Sequence, residues 1–221
     1  MQSEERNQES KNTSSILIKI GLLLLALSFC GFLFFYFPVI SKEILYFLNK
    51  PNANEKVLVN EKSDTGNGAD KQKYILAADK EFSIVIPKIG ANSKVVKDVD
   101  PYVSKEYQQK LTQGVAHAKG TVYPGEAGNS FYFAHSSDNF YNANLYNSVF
   151  YLLNKMEKGD LFYLIYEKKI YKYEVTGVKI VNAEDVSFLS GDKTKKTATL
   201  MTCWPAGTTL RRLVVNGELL P

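Results

Sequence analysis

Residues 161–181 read LFYLIYEKKIYKYEVTGVKIV. Two runs rich in aromatic and β-branched residues, Leu161 to Glu167 and Ile170 to Val181, meet at the charged Glu167-Lys168-Lys169. Such side chains suit the pleated, half-buried surface of a sheet, so the stretch predicts a hairpin, although its turn lacks the Asn-Gly type of signal. Runs of the same character lie outward on both sides: Phe82 to Pro87 and Ser130 to Ala134 before it, Thr197 to Thr202 and Leu213 to Val215 after it. Tyr102 to Gln113 differs, because Val103, Tyr107 and Leu111 recur at helical spacing; it predicts a helix that Gly114 ends. Asn139 to Lys155, with its aromatics and asparagines, reads as a loop leading into another short helix. The expected fold is mainly β: an antiparallel-type sheet closed into a small barrel, with one or two short helices.

The chain has 221 residues, 45% hydrophobic and 23% charged, a composition that excludes a wholly disordered, collagen-like or coiled-coil protein. Its net charge of +4 comes without an arginine-rich block, which leaves no electrostatic case for nucleic acid. The apolar residues are unevenly placed. Ile20 to Ile40 is an uncharged run of 21 residues, which as a helix spans roughly 30 Å, one hydrocarbon core. It is longer than the apolar part of a signal peptide and no small-residue cleavage site follows it, so it reads as a single uncleaved transmembrane anchor in a lipid bilayer. Arg6, Lys11 and Lys19 before the run, against Lys42 and Lys50 after it, favour an amino terminus inside. Ser41 to Leu48 prolongs the helix, and Pro51 to Lys73 is polar enough to read as a tether. The expected organisation is a cytoplasmic tail (1–19), an anchor (20–40), a juxtamembrane segment and linker (41–73), and one extracytoplasmic domain (74–221) at the cell membrane.

Of two cysteines, Cys30 lies in the anchor and Cys203 stands alone in the outer domain. A lone thiol in an oxidising compartment is either packed as a small apolar group or kept for its chemistry. Cys203 ends the strand-like run Thr199-Leu200-Met201-Thr202, just before Pro205 and Gly207 break the pattern. His135 follows another such run, Phe131 to Ala134, and Arg211 and Arg212 begin the last one, after a loop that would return an arginine beside the thiol. These residue types are complementary. A nearby cation stabilises a thiolate nucleophile, imidazole passes protons to and from the departing and incoming amines, and a guanidinium fork suits an oxyanion. His117, the other histidine, reads as a loop or core residue; Trp204 fits either the mouth of a groove or ordinary packing.

Taken together, the motifs resemble those of the sortases, membrane-anchored cysteine transpeptidases of bacterial surfaces. The resemblance runs from about Phe82 to Gly217. Thr199 to Cys203 matches the T-L-x-T-C signature, with Met201 at the variable place, and Arg212-Leu213-Val214-Val215 matches the family's final strand. Ile86 to Asn92 (IPKIGAN) resembles the opening I-P-K-I-G-V-N, and Gly114-Val115-Ala116-His117, Gly120-Thr121, Pro124-Gly125 and Gly128-Asn129 resemble the approach to the histidine strand. Ala134-His135-Ser136 departs from the frequent A-G-H-T or G-H-R wording.

The resemblance implies a sortase β-barrel with Cys203 as nucleophile, His135 as acid and base, and Arg212 as oxyanion stabiliser; alternation along a strand lets only one of Arg211 and Arg212 face the thiol, and the motif selects Arg212. It implies cleavage of an L-P-x-T-G-type sorting signal on secreted proteins, a thioacyl intermediate, and transfer to an amine such as that of a peptidoglycan precursor. A pilin lysine as acceptor would make a pilus polymerase, a subgroup that commonly carries a carboxyl-terminal membrane segment this sequence does not show, so wall anchoring is preferred. An L,D-transpeptidase-like wall enzyme and a non-enzymatic membrane-tethered β binding domain are the alternatives. No cofactor or metal site is expected: some sortases use calcium, but Glu81, Asp98, Asp100 and Asp185 make no recognisable ligand loop.

Overall fold

A computed structural model describes residues 2–48, 55–59, 74–136 and 148–221. The chain divides into two compact units, Met1–Ile44 and Leu45–Pro221. Helix α1 (Gln2–Leu48) is continuous, and among the described residues it contains the one segment long and apolar enough to cross a membrane, Ile16–Phe34. That window begins before the expected Ile20 because Ile16, Leu17 and Ile18 extend the apolar run past Lys19, whose long stem can carry its charge toward an interface. Leu22, Leu24 and Leu25 are all more than half exposed. A helix apolar on every side needs apolar surroundings rather than a single packed face.

Two short strands, β1 (Lys56–Leu58) and β2 (Tyr74–Leu76), pair in parallel. Here the structure corrects the reading of 51–73 as wholly tether: Val57 and Val59 are buried in a cluster with Val85 and Ile165. Two valines supply enough apolar burial to dock this piece of an otherwise polar stretch, about 1.5–3 kcal/mol each. The rest of that stretch lies outside the described residues.

The remaining elements are β3 (Phe82–Ile86), β4 (Ala91–Val99), α2 (Ser104–Leu111), β5 (Val115–Ala118), β6 (Gly128–Phe133), β7 (Leu161–Tyr166), β8 (Lys169–Asn182), β9 (Lys196–Trp204) and β10 (Arg211–Leu219). Strands β3 to β10 close into a barrel in the order β10-β8-β7-β3-β4-β5-β6-β9. The pairs β4–β5 and β6–β9 are parallel; the others are antiparallel. The predicted hairpin joins β7 to β8, with Tyr166 opposite Lys169. Its two turn residues, Glu167 and Lys168, have φ of 49° and 65°. This primed-type geometry usually recruits Asn-Gly, which is why the turn carried no sequence signal. The short helix expected near Lys155 is a single 3-10 turn at Leu153–Lys155, and the loop from Asn139 lies largely outside the described residues.

Period-two alternation gives the barrel two packed faces. Tyr132, Leu200, Phe162 and Tyr173 point inward to the main core, where the Phe162 and Tyr173 rings stack 5.2 Å apart. Gly217 in β10 is what lets Phe162 lie so close: a β-carbon there would stand 2.4 Å from the ring. Phe131, Phe133 and Met201 point outward into a second cluster, beneath Leu111 and Tyr107 of α2 and Phe188 and Leu189 of the β8–β9 connection. The outer face of β6 and β9 therefore becomes the floor of a walled groove.

Candidate active site

Register brings the three singled-out residues to one level. Strands β6 and β9 run parallel with Phe133 beside Met201, so His135 and Cys203, each two residues further on, emerge side by side. The alignment continues past the end of β6: the Ala134 N–H donates to the Met201 carbonyl (3.2 Å), and the Thr202 hydroxyl donates to the Ala134 carbonyl (2.8 Å). On the other side, antiparallel β10 sets Arg212 directly opposite Cys203 and Arg211 opposite Trp204. Imidazole, thiol and guanidinium thus arise from three adjacent strands, and all three residues are half-buried, while Arg211 is exposed.

These three side chains line a cavity of about 530 Å³. Its floor includes Phe131, Phe133 and Met201; its walls come from α2 (Tyr107, Leu111), from the β8–β9 connection (Val186, Phe188) and from the β9–β10 loop (Thr208, Thr209). Tyr107 meets Phe133 edge-on at 6.2 Å, and Phe188 stacks on Phe131 at 5.6 Å. The size and the mix of apolar walls with a few polar groups suit an extended peptide segment.

Burial pushes the Cys203 thiol above its ordinary range, and the Arg212 charge offsets part of that rise. In the resting site the sulfur is therefore mainly the neutral thiol at pH 7. Arg212 is itself held in place: its Nη1 donates to the carbonyls of Thr209 (3.0 Å) and Arg211 (3.1 Å). Among the described residues its other guanidinium N–H groups have no protein acceptor, so a fork of donors remains for a substrate oxygen.

His117 lies apart, fully buried on β5. Its Nε2 donates to the Val122 carbonyl (3.1 Å), its ring stacks on Tyr123, and its Nδ1 faces Asp98 at 3.6 Å. Trp204 packs against the main core. Of the acids weighed for calcium, Asp98 accepts from Tyr123 Oη, Asp100 from the Tyr102 N–H and Asp185 from the Ser187 N–H. The walls carry no motif in the sequence. The stripe Val103, Tyr107, Leu111 was visible as a helix face, but nothing local said that two of its members would line the same cavity as Cys203.

Comparison with known proteins gives a consistent answer. A family model described as a sortase domain matches residues 84–220. Sortase D of Bacillus subtilis (strain 168) is 28% identical over 166 residues, which are 72% of this chain and 75% of that protein. Among solved structures, sortase C1 of GBS Pilus Island 1 aligns with TM-score 0.55 at 25% identity, covering 63% of this chain and 64% of its own; this chain thus spans just under two-thirds of that protein. Clostridium perfringens sortase C, solved with the C-terminal cell wall sorting motif, aligns with TM-score 0.53 at 30% identity, covering 63% and 69%.

Proposed function

The chain belongs to the sortase family, and from that premise we propose that it is a membrane-tethered cysteine transpeptidase that joins surface proteins to the cell wall. Cys203 is the nucleophile, His135 the proton carrier and Arg212 the oxyanion-stabilising group. The observation that carries this reading is the common level of His135, two residues past the end of β6, with Cys203 on β9 and Arg212 on β10, the arginine directly opposite Cys203 in the ladder.

The chemistry follows from their separate abilities. Once its proton has passed to His135, the Cys203 sulfur adds to the Thr–Gly carbonyl carbon of an L-P-x-T-G-type signal. Negative charge moves to the carbonyl oxygen, where the free N–H groups of Arg212 meet it. The C–N bond then breaks, His135 gives its proton to the leaving amine, and an acyl thioester remains on Cys203. An incoming amine of a peptidoglycan precursor adds to the thioester, loses a proton to His135 and expels the thiolate. The apolar segment of α1 holds the chain in the membrane as a single pass, with residues 74–221 as the extracytoplasmic catalytic domain beside its secreted substrates.

A pilin lysine as the incoming amine is the second reading, favoured by the likeness to a pilus-island sortase. The test is mass spectrometry of the full chain, in detergent, with fluorescent L-P-x-T-G peptides and either a glycyl amine or a lysyl peptide. Ligated product is expected with the wild type and none with Cys203→Ala. Failure of every peptide and amine pair would count against transpeptidation, and exclusive use of the lysyl peptide would select pilin polymerisation.

A further inference from the structure

The wall of the cavity formed by the β8–β9 connection has little secondary structure of its own beyond the 3-10 turn Ser187–Leu189. Besides the packing of Phe188 and Leu189 on the barrel, a side chain outside the cavity lining holds it by its backbone. Asn129, on β6, is buried, at 8% exposure. Its Nδ2 donates to the carbonyls of Phe188 (3.1 Å) and Leu189 (3.4 Å). Its Oδ1 accepts from the hydroxyls of Thr199 (2.9 Å) and Thr197 (3.2 Å). The two carbonyls can only accept, and that alone sets Nδ2 toward the connection; the threonine hydroxyls share their protons with the Gly128 carbonyl (3.1 Å, Thr197) and Asn216 Oδ1 (3.0 Å, Thr199). The close approach also depends on Gly191, where a β-carbon would stand 2.6 Å from that of Asn129.

We propose that Asn129 is a positioning residue for the substrate wall: it ties the carbonyls of Phe188 and Leu189 to the barrel, and so fixes where Val186 and Phe188 stand against a bound signal peptide. The residue is not part of the cavity lining and makes no bond to Cys203. Its donor half holds the wall, and its acceptor half is satisfied by β9, the strand that carries Cys203. The two halves are separable. Asn129→Asp keeps the shape and the oxygen facing the threonines but sets an oxygen against two carbonyls, while Gly191→Ala pushes the connection away and leaves the amide intact.

The inference rests on the transpeptidase reading above, so its test has one readout that does not. Wild type, Asn129→Asp and Gly191→Ala, each as the full chain in detergent, are compared in turnover of a fluorescent L-P-x-T-G peptide, in iodoacetamide alkylation of Cys203 and in amide exchange over 183–195. Both variants are expected to raise KM about tenfold, the effect of losing one or two buried hydrogen bonds. They are expected to leave kcat and the alkylation rate within about threefold, a margin of less than 1 kcal/mol, and to speed exchange at 186–190. A purely structural role would lower the active fraction, and with it kcat, at constant KM. Unchanged KM and unchanged exchange in both variants, or a loss confined to kcat, would overturn the proposal. If the wild type turns over no peptide, the transpeptidase reading falls, and the exchange data alone decide whether Asn129 holds the wall.

Discussion

Replacing Arg212 by glutamine removes a charge directly across the ladder from Cys203 while keeping a polar, unbranched side chain. Opposed residues in an antiparallel pair hold their β-carbons about 5 Å apart. At an effective dielectric constant of about 20 to 80, a unit charge about 5.5 Å away is worth about 0.8 to 3 kcal/mol, and partial exposure places this pair toward the lower half of that range. About 1.4 kcal/mol is one pKa unit. The thiol, already raised by burial, should rise by about one unit more, and iodoacetamide alkylation at pH 7 should slow about tenfold, in proportion to the thiolate present. Peptide turnover should fall further, by an additional factor of about 10² to 10³, because the oxyanion loses its donors as well. Arg212→Lys separates the two effects: it keeps the charge, so alkylation should stay within about threefold, but it loses the fork, so turnover should still drop. The assay is the pH profile of alkylation beside steady-state ligation for each variant. A shift of the alkylation midpoint below about 0.3 unit in Arg212→Gln, or a larger shift in Arg211→Gln, would refute the reasoning, since 0.3 unit is only about 0.4 kcal/mol.

Three predictions concern stability. Glu167→Asn with Lys168→Gly supplies the residues that the left-handed turn prefers; it should stabilise the protein by about 1 kcal/mol and raise Tm by about 2–4 °C, and a lower Tm would count against the turn geometry. Lys88 bridges Asp160 (2.8 Å) and Glu157 (3.0 Å), with the Lys88 and Asp160 side chains only 19% and 17% exposed; Lys88→Ala leaves the Asp160 carboxylate, among the described residues, only the Glu157 N–H and should cost about 1–2 kcal/mol in urea unfolding. Burial holds His117 below the ordinary imidazole range, although the Val122 carbonyl, Asp98 and Glu126 oppose the shift. The unfolded chain, with a histidine pKa of about 6.5, therefore takes up the proton first: this contribution to stability is complete above about pH 6.5 and is lost as pH falls toward the folded value. His117→Gln should flatten that part of the urea midpoint profile; an unchanged acid slope would contradict it.

The strands legible in the sequence were those whose inward faces are large and apolar. Strand β4 went unread because its buried alternate positions begin with Ala91 and Ser93, too small and too polar to register as a hydrophobic period. Strand β5 is four residues, buried throughout and containing His117, so it shows no alternation at all. The chemical types at the site were legible for a different reason: a lone thiol, a histidine and an arginine at strand ends are rare enough to notice. The return of an arginine beside the thiol was legible from the short loop before the last strand, but the place of His135 was not, because the parallel pairing of β6 with β9 is set by a connection that includes a whole hairpin, β7 and β8, and no local pattern encodes it. Asn129 was quoted only within a family motif. Its partners are backbone carbonyls 59 and 60 residues away, which have no sequence signature.

The site thus has two parts with different physical origins. The proposed catalytic groups stand on hydrogen-bonded backbone: Cys203 of β9 pairs with Arg212 of β10 on one side, while on the other the β6 ladder ends at Phe133 beside Met201 and is extended by the Ala134 N–H to the Met201 carbonyl and the Thr202 hydroxyl to the Ala134 carbonyl. The walls are the short helix α2 and two connections, docked by a few side-chain contacts each: Tyr107 and Leu111 on the outer face of β5 and β6, Phe188 on Phe131, the amide of Asn129 on two carbonyls. Strand ladders resist displacement cooperatively, whereas a docked loop can be released by losing one or two bonds of about 1 kcal/mol each. Substitutions in the floor should therefore change the reactivity of the thiol toward any electrophile, including one as small as iodoacetamide. Substitutions in the walls should change only which peptides reach it. A wall variant that altered alkylation as strongly as ligation would mean that the walls, and not the strands, hold Cys203.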